Sequence, residues 1–198
     1  YAEQIWGQSV IVTNVTGANG AIGDGQVKDA AADGYTVCFH HQAIITNELA
    51  GLMDFSYDAF KMGPNFADDP SFCIFTNSDT YPDLDSLVEA AKANPGALKM
   101  GVAVGGYSYL MAACFMDSAG IELTAVDLGD STENTAGLLG GHIDAMPSLY
   151  GTNAAYVDSG DFSVLGVATD ERISLYPDVP TFKESGLDFS FPGYQFGF

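Results

Sequence analysis

Basic residues are scarce in this chain of 198 amino acids. It carries 6 Lys and Arg against 26 Asp and Glu, which gives a formal net charge of −20 at pH 7. Surfaces that bind nucleic acid are basic, as are surfaces that dock on anionic lipid through charge. The composition therefore argues against both kinds of partner. If the protein binds an anion, most of the hydrogen-bond donors must come from uncharged groups.

Cysteine is also scarce. The three cysteines, Cys38, Cys73 and Cys114, are odd in number, and no two have the spacing of a CxxC motif. We interpret them as free thiols that pack as small hydrophobic residues, with a structural disulfide as the alternative.

Long apolar runs are missing as well, because none approaches the roughly 20 residues that cross a membrane. The sequence begins Tyr1-Ala2-Glu3, with neither an initiator methionine nor a signal peptide. We expect that an upstream segment has been removed or is not included, so the location cannot be read from a targeting segment. With 47% apolar and 16% charged residues, the chain is predicted to be globular, with one large domain or two small ones.

Recognisable catalytic and cofactor motifs are absent: there is no G-x-S-x-G, H-E-x-x-H or P-loop sequence. The segment Gly17–Gly23 has G-x-x-G-x-x-G spacing rather than the dinucleotide-binding G-x-G-x-x-G, so we interpret it as a tight strand-to-helix turn. Of the three histidines, His40 and His41 are adjacent and point apart in an extended chain, while His142 lies in a glycine turn. We therefore predict no metal, no cofactor and no enzymatic activity.

Strand-like and helix-like runs alternate along the chain, which predicts an α/β fold with parallel sheets covered by helices. The clearest helix is Leu84–Ala93, with Asp83 as its N-cap and Asn94-Pro95-Gly96 as its stop. The other predicted helices are Ala21–Ala32, Ser108–Ser118, Thr132–Leu139 and Asn153–Val157. The predicted strands are Val10–Thr13, Tyr35–Phe39, Lys61–Phe66, Phe72–Thr76, Lys99–Ala103, Leu123–Asp127, Ile143–Met146 and Phe162–Ala168.

The run Leu98–Tyr109, LKMGVAVGGYSY, is the strongest candidate for a binding site. A strand leads into Gly105 and Gly106, and Tyr107-Ser108-Tyr109 then opens an apolar helix. This order directs several free backbone N–H groups and a helix N-terminus at one point, which attracts an anion without a basic side chain. We predict that Gly105, Gly106 and Ser108 contact the anion and that Tyr107 and Tyr109 shape the pocket.

Other segments are predicted to converge on the same place. Ser131 and Thr132 open a second helix, for which a plain N-cap is the alternative, and Ser148 follows a third strand. His41 and Gln42 follow the strand Tyr35–Phe39, where open α/β sheets place their ligand loops. We predict an anion contact from Ser131 and a shaping role for His41 and Gln42.

Five blocks of the sequence carry a family resemblance. They are Gly7–Gly23, Asp33–Val37, Leu84–Gly101, Leu138–Met146 and Val167–Leu187, of which the last, with Pro177-Asp178-Val179-Pro180-Thr181, is the most specific. In these blocks, which together span nearly the whole chain, the sequence resembles the extracytoplasmic solute-binding proteins of tripartite tricarboxylate transporters, the Bug family.

The resemblance implies a type II periplasmic-binding-protein-like fold, with two Rossmann-like α/β lobes around a ligand cleft. Lobe 1 would span residues 1–97 and lobe 2 residues 98–190, and residues 191–198 would begin a crossover strand back to lobe 1. The implied function is capture of a small carboxylate-containing metabolite for membrane transporter subunits. The location would be extracytoplasmic, either periplasmic or lipid-anchored. A ligand-sensing module of a signalling system is the alternative, and an enzyme on a doubly wound sheet is the least favoured one.

By position, the pocket loops of the family fall on His40–Ala43, Gly105–Tyr109, Ser131-Thr132 and Pro147-Ser148. The sequence departs from the family in having Tyr107 and Tyr109 at the glycine turn, which implies a more aromatic pocket wall. The resemblance also implies that the chain is incomplete at both ends and lacks the first strand of lobe 1. We therefore expect unpaired sheet edges at Val10–Thr13 and Tyr35–Phe39, through which the protein could associate.

Overall fold

The computed structural model describes all residues, 1–198, as two β-sheets with helices packed around them. The helices are α1 (Ala2–Trp6), α2 (Ala21–Lys28), α3 (Ala43–Leu49), α4 (Leu84–Ala93), α5 (Tyr107–Ala119), α6 (Ser131–Leu139) and α7 (Tyr150–Ser159). The strands are β1 (His40–His41), β2 (Asn65–Asp69), β3 (Phe72–Asn77), β4 (Lys99–Val102), β5 (Thr124–Asp127), β6 (Ala145–Leu149), β7 (Phe162–Val167) and β8 (Tyr194–Gly197). No helix has the length and apolar character needed to span a membrane.

The larger sheet has five strands in the order β5-β4-β6-β3-β7. Strand β4 runs parallel to β5 and to β6, so the carboxyl ends of these three strands lie at one edge. Each of them leads into a helix at that edge: β4 into α5, β5 into α6 and β6 into α7. This repeated connection brings three helix N-termini together, as the α/β alternation predicts.

The main hydrophobic core packs helices against this sheet. Phe72, Ile74, Met100, Phe115 and Phe182 are almost fully buried in it. Burying a side chain of this size stabilises the fold by roughly 1.5–3 kcal/mol, so the aromatic residues dominate the core.

Helix α4 has the predicted bounds and the predicted N-cap. The Asp83 carboxylate accepts a hydrogen bond of 2.8 Å from the Ser86 N–H, and the Ser86 hydroxyl faces back toward the Asp83 backbone in a capping box. Leu84, Leu87 and Ala91 are buried, which is the spacing of one helix face.

The smaller sheet has three antiparallel strands in the order β1-β8-β2. Strand β8, from the segment predicted to cross between lobes, lies in the middle, with Phe196 opposite His41 and Tyr194 opposite Asp69. The last residues of the chain therefore hold together elements from its first third.

Two predicted strands are wrong. Val10–Thr13 and Tyr35–Phe39 have no regular structure, because no strand of the chain pairs with them; only His40 and His41, after the second segment, join a sheet. Ile11 and Tyr35 are 85% and 86% exposed. The apolar runs in these segments predicted an extended chain but could not supply a hydrogen-bonding neighbour.

The larger sheet is mixed rather than parallel. Strand β3 is inserted antiparallel between β6 and β7, and α4 packs in the same core. Both elements precede the lobe boundary predicted between residues 97 and 98, yet they pack with the strands and helices that follow it. The predicted strand Lys61–Phe66 is also displaced, since β2 spans Asn65–Asp69.

All three cysteines are free, as predicted. Cys73 is fully buried in the core, and Cys38 donates a hydrogen bond of 3.2 Å to Asp24. Burial, together with the Asp24 carboxylate, raises the pKa of the Cys38 thiol to about 12. Burial also raises the pKa of Cys73, so the Cys38 and Cys73 thiols are protonated and unreactive near neutral pH.

Candidate functional site

A cleft of about 330 Å³ lies at the carboxyl ends of β4, β5 and β6, facing Asn19, His41 and Ala43 from the amino-terminal part of the chain. Six of the ten predicted site residues line it, namely His41, Gly106, Tyr107, Ser108, Ser131 and Ser148. Gln42, Gly105, Tyr109 and Thr132 do not line it. The strand ends thus bring together the segments that the sequence predicts to converge.

The N-terminus of α5 offers uncharged donors to the cleft. The N–H groups of Tyr107, Ser108 and Tyr109 have no backbone acceptor, as expected for the first turn of a helix. The Ser108 hydroxyl oxygen accepts a hydrogen bond of 3.2 Å from the Ala103 N–H, which leaves its own proton free to donate. The helix dipole adds a partial positive charge at the same point.

The glycine turn before α5 has two distinct functions. Gly105 has φ +79°, a conformation that favours glycine, and a side chain there would come within 3.1 Å of the Ala50 methyl group. Gly105 therefore makes the turn and lies behind the cleft wall. At Gly106 a Cβ atom would lie 3.2 Å from the Asn19 amide, so the missing side chain allows the facing loop to approach.

A chain of polar side chains supports Ser131. Asn153 is fully buried, and its Nδ2 group donates to the Ser148 hydroxyl at 2.9 Å. The Ser148 and Ser131 hydroxyl oxygens are 3.3 Å apart. Because Ser148 accepts from Asn153, it can donate to Ser131, which leaves the Ser131 proton free for a ligand. Thr135 fixes the other end of the Asn153 amide with a bond of 3.0 Å.

The cap of α6 is Asp130, not the Ser131-Thr132 pair. The Asp130 carboxylate accepts from the Thr132 N–H at 2.7 Å and forms a capping box with Glu133. The hydrogen bonds from Glu133 and Thr132 hold the pKa of Asp130 below its usual value. Thr132 is exposed, and its N–H already donates to Asp130. The Thr132 N–H is therefore not a free donor of the kind found in the first turn of α5.

His41 lies on the opposite side of the cleft in an aromatic setting. Its ring packs edge-on against Tyr194, with centroids 4.4 Å apart, and against Phe196 at 5.8 Å. Burial, with the neighbouring His40, lowers the pKa of His41 to about 4, so the ring is neutral near pH 7. Nδ1 accepts from the Ala43 N–H at 3.2 Å, which places the proton on Nε2 as a further uncharged donor.

Tyr107 forms the wall between the cleft and the core. Its ring stacks parallel to Phe72 at 6.1 Å and contacts Phe191 and Tyr194 at 5.0 and 5.2 Å. Its hydroxyl donates to the Pro192 carbonyl at 2.9 Å, and burial raises its pKa. Of the two tyrosines predicted to shape the pocket, Tyr107 lines the cleft and Tyr109 does not, and the Tyr107 hydroxyl is bound to the crossover segment.

Gln42 and Tyr109 differ most from their predicted places. The Gln42 Nε2 group donates to the Gly193 carbonyl at 2.6 Å, and its Oε1 atom accepts from the Gln195 N–H at 2.9 Å. Both ends of this side chain thus hold β8. Tyr109 is on the outer face of α5 and is 40% exposed.

Several lining residues escaped sequence reasoning. Those with polar groups are Asn19, Asp130, Asn134, Thr152 and Tyr194. Asn19 has φ +53° within the Gly17–Gly23 turn, and its side chain donates to the Val104 carbonyl at 3.2 Å. The signal that could have found it was the glycine-rich turn itself, whereas Tyr194 belongs to no pattern that identifies a cleft.

A cleft at the carboxyl ends of parallel strands, closed by a second small sheet and lined by uncharged donors, defines the class of periplasmic-type solute-binding proteins. Residues 1–197 match the family model described as tripartite tricarboxylate transporter family receptor, TctC, and the chain belongs to this family.

Among curated relatives, the protein BugT of Bordetella pertussis is 28% identical over 189 residues, which cover 91% of this chain and 57% of BugT. A protein of Agrobacterium vitis from the TAR-I ttuE-ttuC' intergenic region is 29% identical over 197 residues, with 96% and 56% coverage. The chain therefore spans just over half the length of the curated relatives it matches.

Solved structures share the fold. A periplasmic transporter structure superposes with a TM-score of 0.86 at 27% identity, covering 98% of this chain and 67% of that one. The periplasmic binding protein BugD gives a TM-score of 0.77 at 25% identity, with 98% and 66% coverage. MatC from Rhodopseudomonas palustris, solved with bound malate, gives 0.84 at 23% identity, with 98% and 68% coverage. These likenesses support the type II periplasmic-binding fold.

Proposed function

We propose that this chain belongs to an extracytoplasmic solute-binding protein that captures a small carboxylate-containing metabolite and delivers it to membrane subunits of a tripartite tricarboxylate-type transporter. Family membership supports the transport role and the extracytoplasmic location. Relatives of the same fold have been solved with malate and with adipate. These proteins are receptors rather than enzymes, so the ligand is expected to leave unchanged.

The observation that carries this proposal is the convergence of uncharged donors on the cleft. The first turn of α5, the Ser108 hydroxyl, the Ser131 hydroxyl and the His41 Nε2–H group come from three different segments of the chain. A carboxylate accepts several such bonds at once, and charge-assisted bonds are stronger than neutral ones. No arginine lines the cleft, and backbone N–H, hydroxyl and imidazole groups can therefore bind the carboxylate in its place.

The mechanism we propose is closure of the lobes around the ligand. The cleft walls come from both sides, and the crossover segment near Pro192–Gln195 joins them through Tyr107 and Gln42. A ligand that contacts both walls stabilises the closed arrangement over the open one by the contacts made only on closure. Transporter subunits would then recognise the closed form.

Calorimetry with a panel of mono-, di- and tricarboxylates tests the ligand class. We expect at least one carboxylate to bind, and Ser108→Ala to weaken its binding about tenfold because one hydrogen bond to a charged group is lost. Ser118→Ala, on the exposed far end of the same helix, is the matched control and should bind as the wild type does. Binding of a cation or an uncharged sugar, with no carboxylate bound, would refute the proposal.

The finer features of partner and location are also proposals. We place the protein either free in the periplasm or lipid-anchored at the outer face of the cytoplasmic membrane, next to its transporter subunits. Fractionation of cells that express the full-length protein separates the two locations, because an anchored protein sediments with the membranes.

Association through exposed segments is a further proposal. Ile11, Val12 and Tyr35 are each more than four-fifths exposed, and the backbone around them pairs with no strand. Extended apolar backbone of this kind is a template for pairing with another strand. Copies of the chain are therefore expected to associate there when charge repulsion allows it.

A further inference from the structure

The turn that leads into α2 has a left-handed backbone at four successive residues. Gly17, Ala18, Asn19 and Gly20 have φ values of +116°, +47°, +53° and +91°. Glycine adopts such values freely, and asparagine tolerates them better than most residues with a side chain. Strain of this kind persists only where the surrounding contacts hold it, which directs attention to what Asn19 contacts.

A buried amide fixes the backbone of Asn19. Asn47, which is fully buried on α3, donates from Nδ2 to the Asn19 carbonyl at 3.1 Å. The Asn47 Oδ1 atom has no hydrogen-bond partner, so the bond to Asn19 is the one polar contact that orients this side chain. The position of Asn19 is therefore set from inside the amino-terminal part of the chain.

The Asn19 side chain reaches across the cleft to the opposite wall. Its Nδ2 group donates to the Val104 carbonyl at 3.2 Å, in the glycine turn before α5. A Cβ atom at Gly106 would lie 3.2 Å from the Asn19 amide, and one at Gly105 would lie 3.1 Å from the Ala50 methyl group. The missing side chains of the two glycines therefore allow the walls to touch at this turn.

This bond differs from the other polar contacts between the walls. Gln42 and Tyr107 bind the crossover segment, which connects the two sides and can remain bound while they move apart. Asn19 instead joins the walls directly, and no other hydrogen bond links residues 1–63 to residues 98–149. Opening of the cleft must therefore break the bond between Asn19 and Val104.

We propose, as an extension that rests on the proposed function, that Asn19 is a positioning residue that acts as a latch and holds the cleft closed through the Val104 carbonyl. Both partners are groups of the protein, so the bond contributes to closure with or without a ligand. A bound ligand then leaves more slowly, because opening breaks the latch as well as the contacts of the ligand.

Small-angle X-ray scattering of protein refolded without ligand tests the latch, at low salt and extrapolated to zero concentration so that copies do not interact. Asn19→Gly keeps the left-handed turn but removes the amide. Asn19→Asp keeps the shape of the side chain but turns an acceptor toward the Val104 carbonyl. Both variants should have a larger radius of gyration than the wild type, because the walls separate. Loss of a contact with the ligand alone would not change this measurement.

Asn94→Asp is the matched control. Asn94 is the exposed C-cap of α4, lies outside the cleft, and undergoes the same change of charge as Asn19→Asp. Its radius of gyration should equal that of the wild type. Equal radii for all four proteins would overturn the latch, and so would an equal increase in Asn94→Asp.

The release rate of the tightest carboxylate in the calorimetric panel measures the consequence for binding. Rapid mixing should show release from Asn19→Gly roughly three- to fivefold faster than from the wild type, as expected for the loss of one neutral hydrogen bond. An unchanged release rate, or faster release without a larger radius, would overturn the inference and leave the proposed function intact. If no carboxylate binds, the proposed function fails, and the scattering comparison still decides whether Asn19 holds the walls together.

Discussion

His41 links the binding cleft to a pH-dependent stability. The ring is buried against Tyr194 and Phe196, and its pKa is lowered from 6.5 to about 4 by burial and by His40. Between about pH 4 and 6.5, the His41 ring is therefore protonated in the unfolded chain but neutral in the folded protein. Stability from this group is complete above about pH 6.5 and is lost as the pH falls toward about 4.

We expect the free energy of unfolding to fall by about 1 kcal/mol between about pH 7.5 and about pH 5.5, a window that lies above the usual carboxylate pKa values. Urea unfolding at both pH values measures it. His41→Gln should remove most of the difference, because glutamine does not titrate. A His142→Gln control, at an exposed turn, should preserve it. An unchanged pH dependence in His41→Gln would contradict the assignment.

Site residues were predictable where position in sequence fixes position in space. Ser108 and Ser131 follow strands of one parallel set and Ser148 lies near the end of a third, so the strand ends alone bring them together. Gln42 was not predictable in this way, since its side chain turns toward Gly193 and Gln195, about 150 residues away. A neighbour that distant leaves no local pattern. Asp130 was visible beside Ser131, but the choice of cap depended on backbone geometry.

At the scale of the elements, β8 depends on Gly193. A Cβ atom at this position would overlap the backbone carbonyl of Asp69 and the Cα atom of Pro70, which cannot move as a flexible side chain can. Gly193→Ala is therefore expected to displace β8 from β1 and β2 and to destabilise the protein by about 1–3 kcal/mol.

Gly25→Ala, in α2, is the matched glycine variant, because a methyl group there would contact nothing within 4 Å. It should be neutral or stabilise the protein by up to about 1 kcal/mol, since alanine favours a helix. Thermal unfolding of both variants makes the comparison. If Gly193→Ala unfolds like the wild type, β8 does not approach β2 as closely as the structure shows.

Elements were predictable where local interactions determine them. Helix α4 has its predicted bounds because the Asp83 cap, the apolar face and the Pro95 stop all lie within the segment. Val10–Thr13 failed as a strand because pairing needs a distant neighbour. The antiparallel position of β3 between β6 and β7 was not predictable for the same reason, because both partners are long-range. Periodicity indicates an extended chain but not its partner.

At the scale of the whole molecule, three side chains hold the cleft walls together through the crossover segment and the facing loop. Asn19 donates to Val104, Gln42 binds both Gly193 and Gln195, and Tyr107 donates to Pro192. All three pair a side chain with backbone groups rather than with a charge. Closure is therefore expected to be insensitive to salt, in contrast to interactions between separate copies of this strongly charged chain.

Association between copies should rise with ionic strength. A net charge of −20 repels a second copy over about 30 Å at roughly 0.01 M salt and over only about 10 Å at roughly 0.1 M. Once the charges are screened, the exposed apolar residues Ile11 and Val12 can meet those of another copy. Light scattering should therefore show monomers at low salt and larger species as salt is added.

The site of association separates this effect from general salting-out. Ile11→Lys places a charge in the exposed segment and should keep the protein monomeric at roughly 0.5 M salt, because burying an unpaired charge opposes pairing. Leu175→Lys makes the same change of charge at another exposed position, 73% accessible, and should associate as the wild type does. Equal association of both variants would show that the copies meet elsewhere. The exposed segment Val10–Thr13 would then be a surface that no second copy uses.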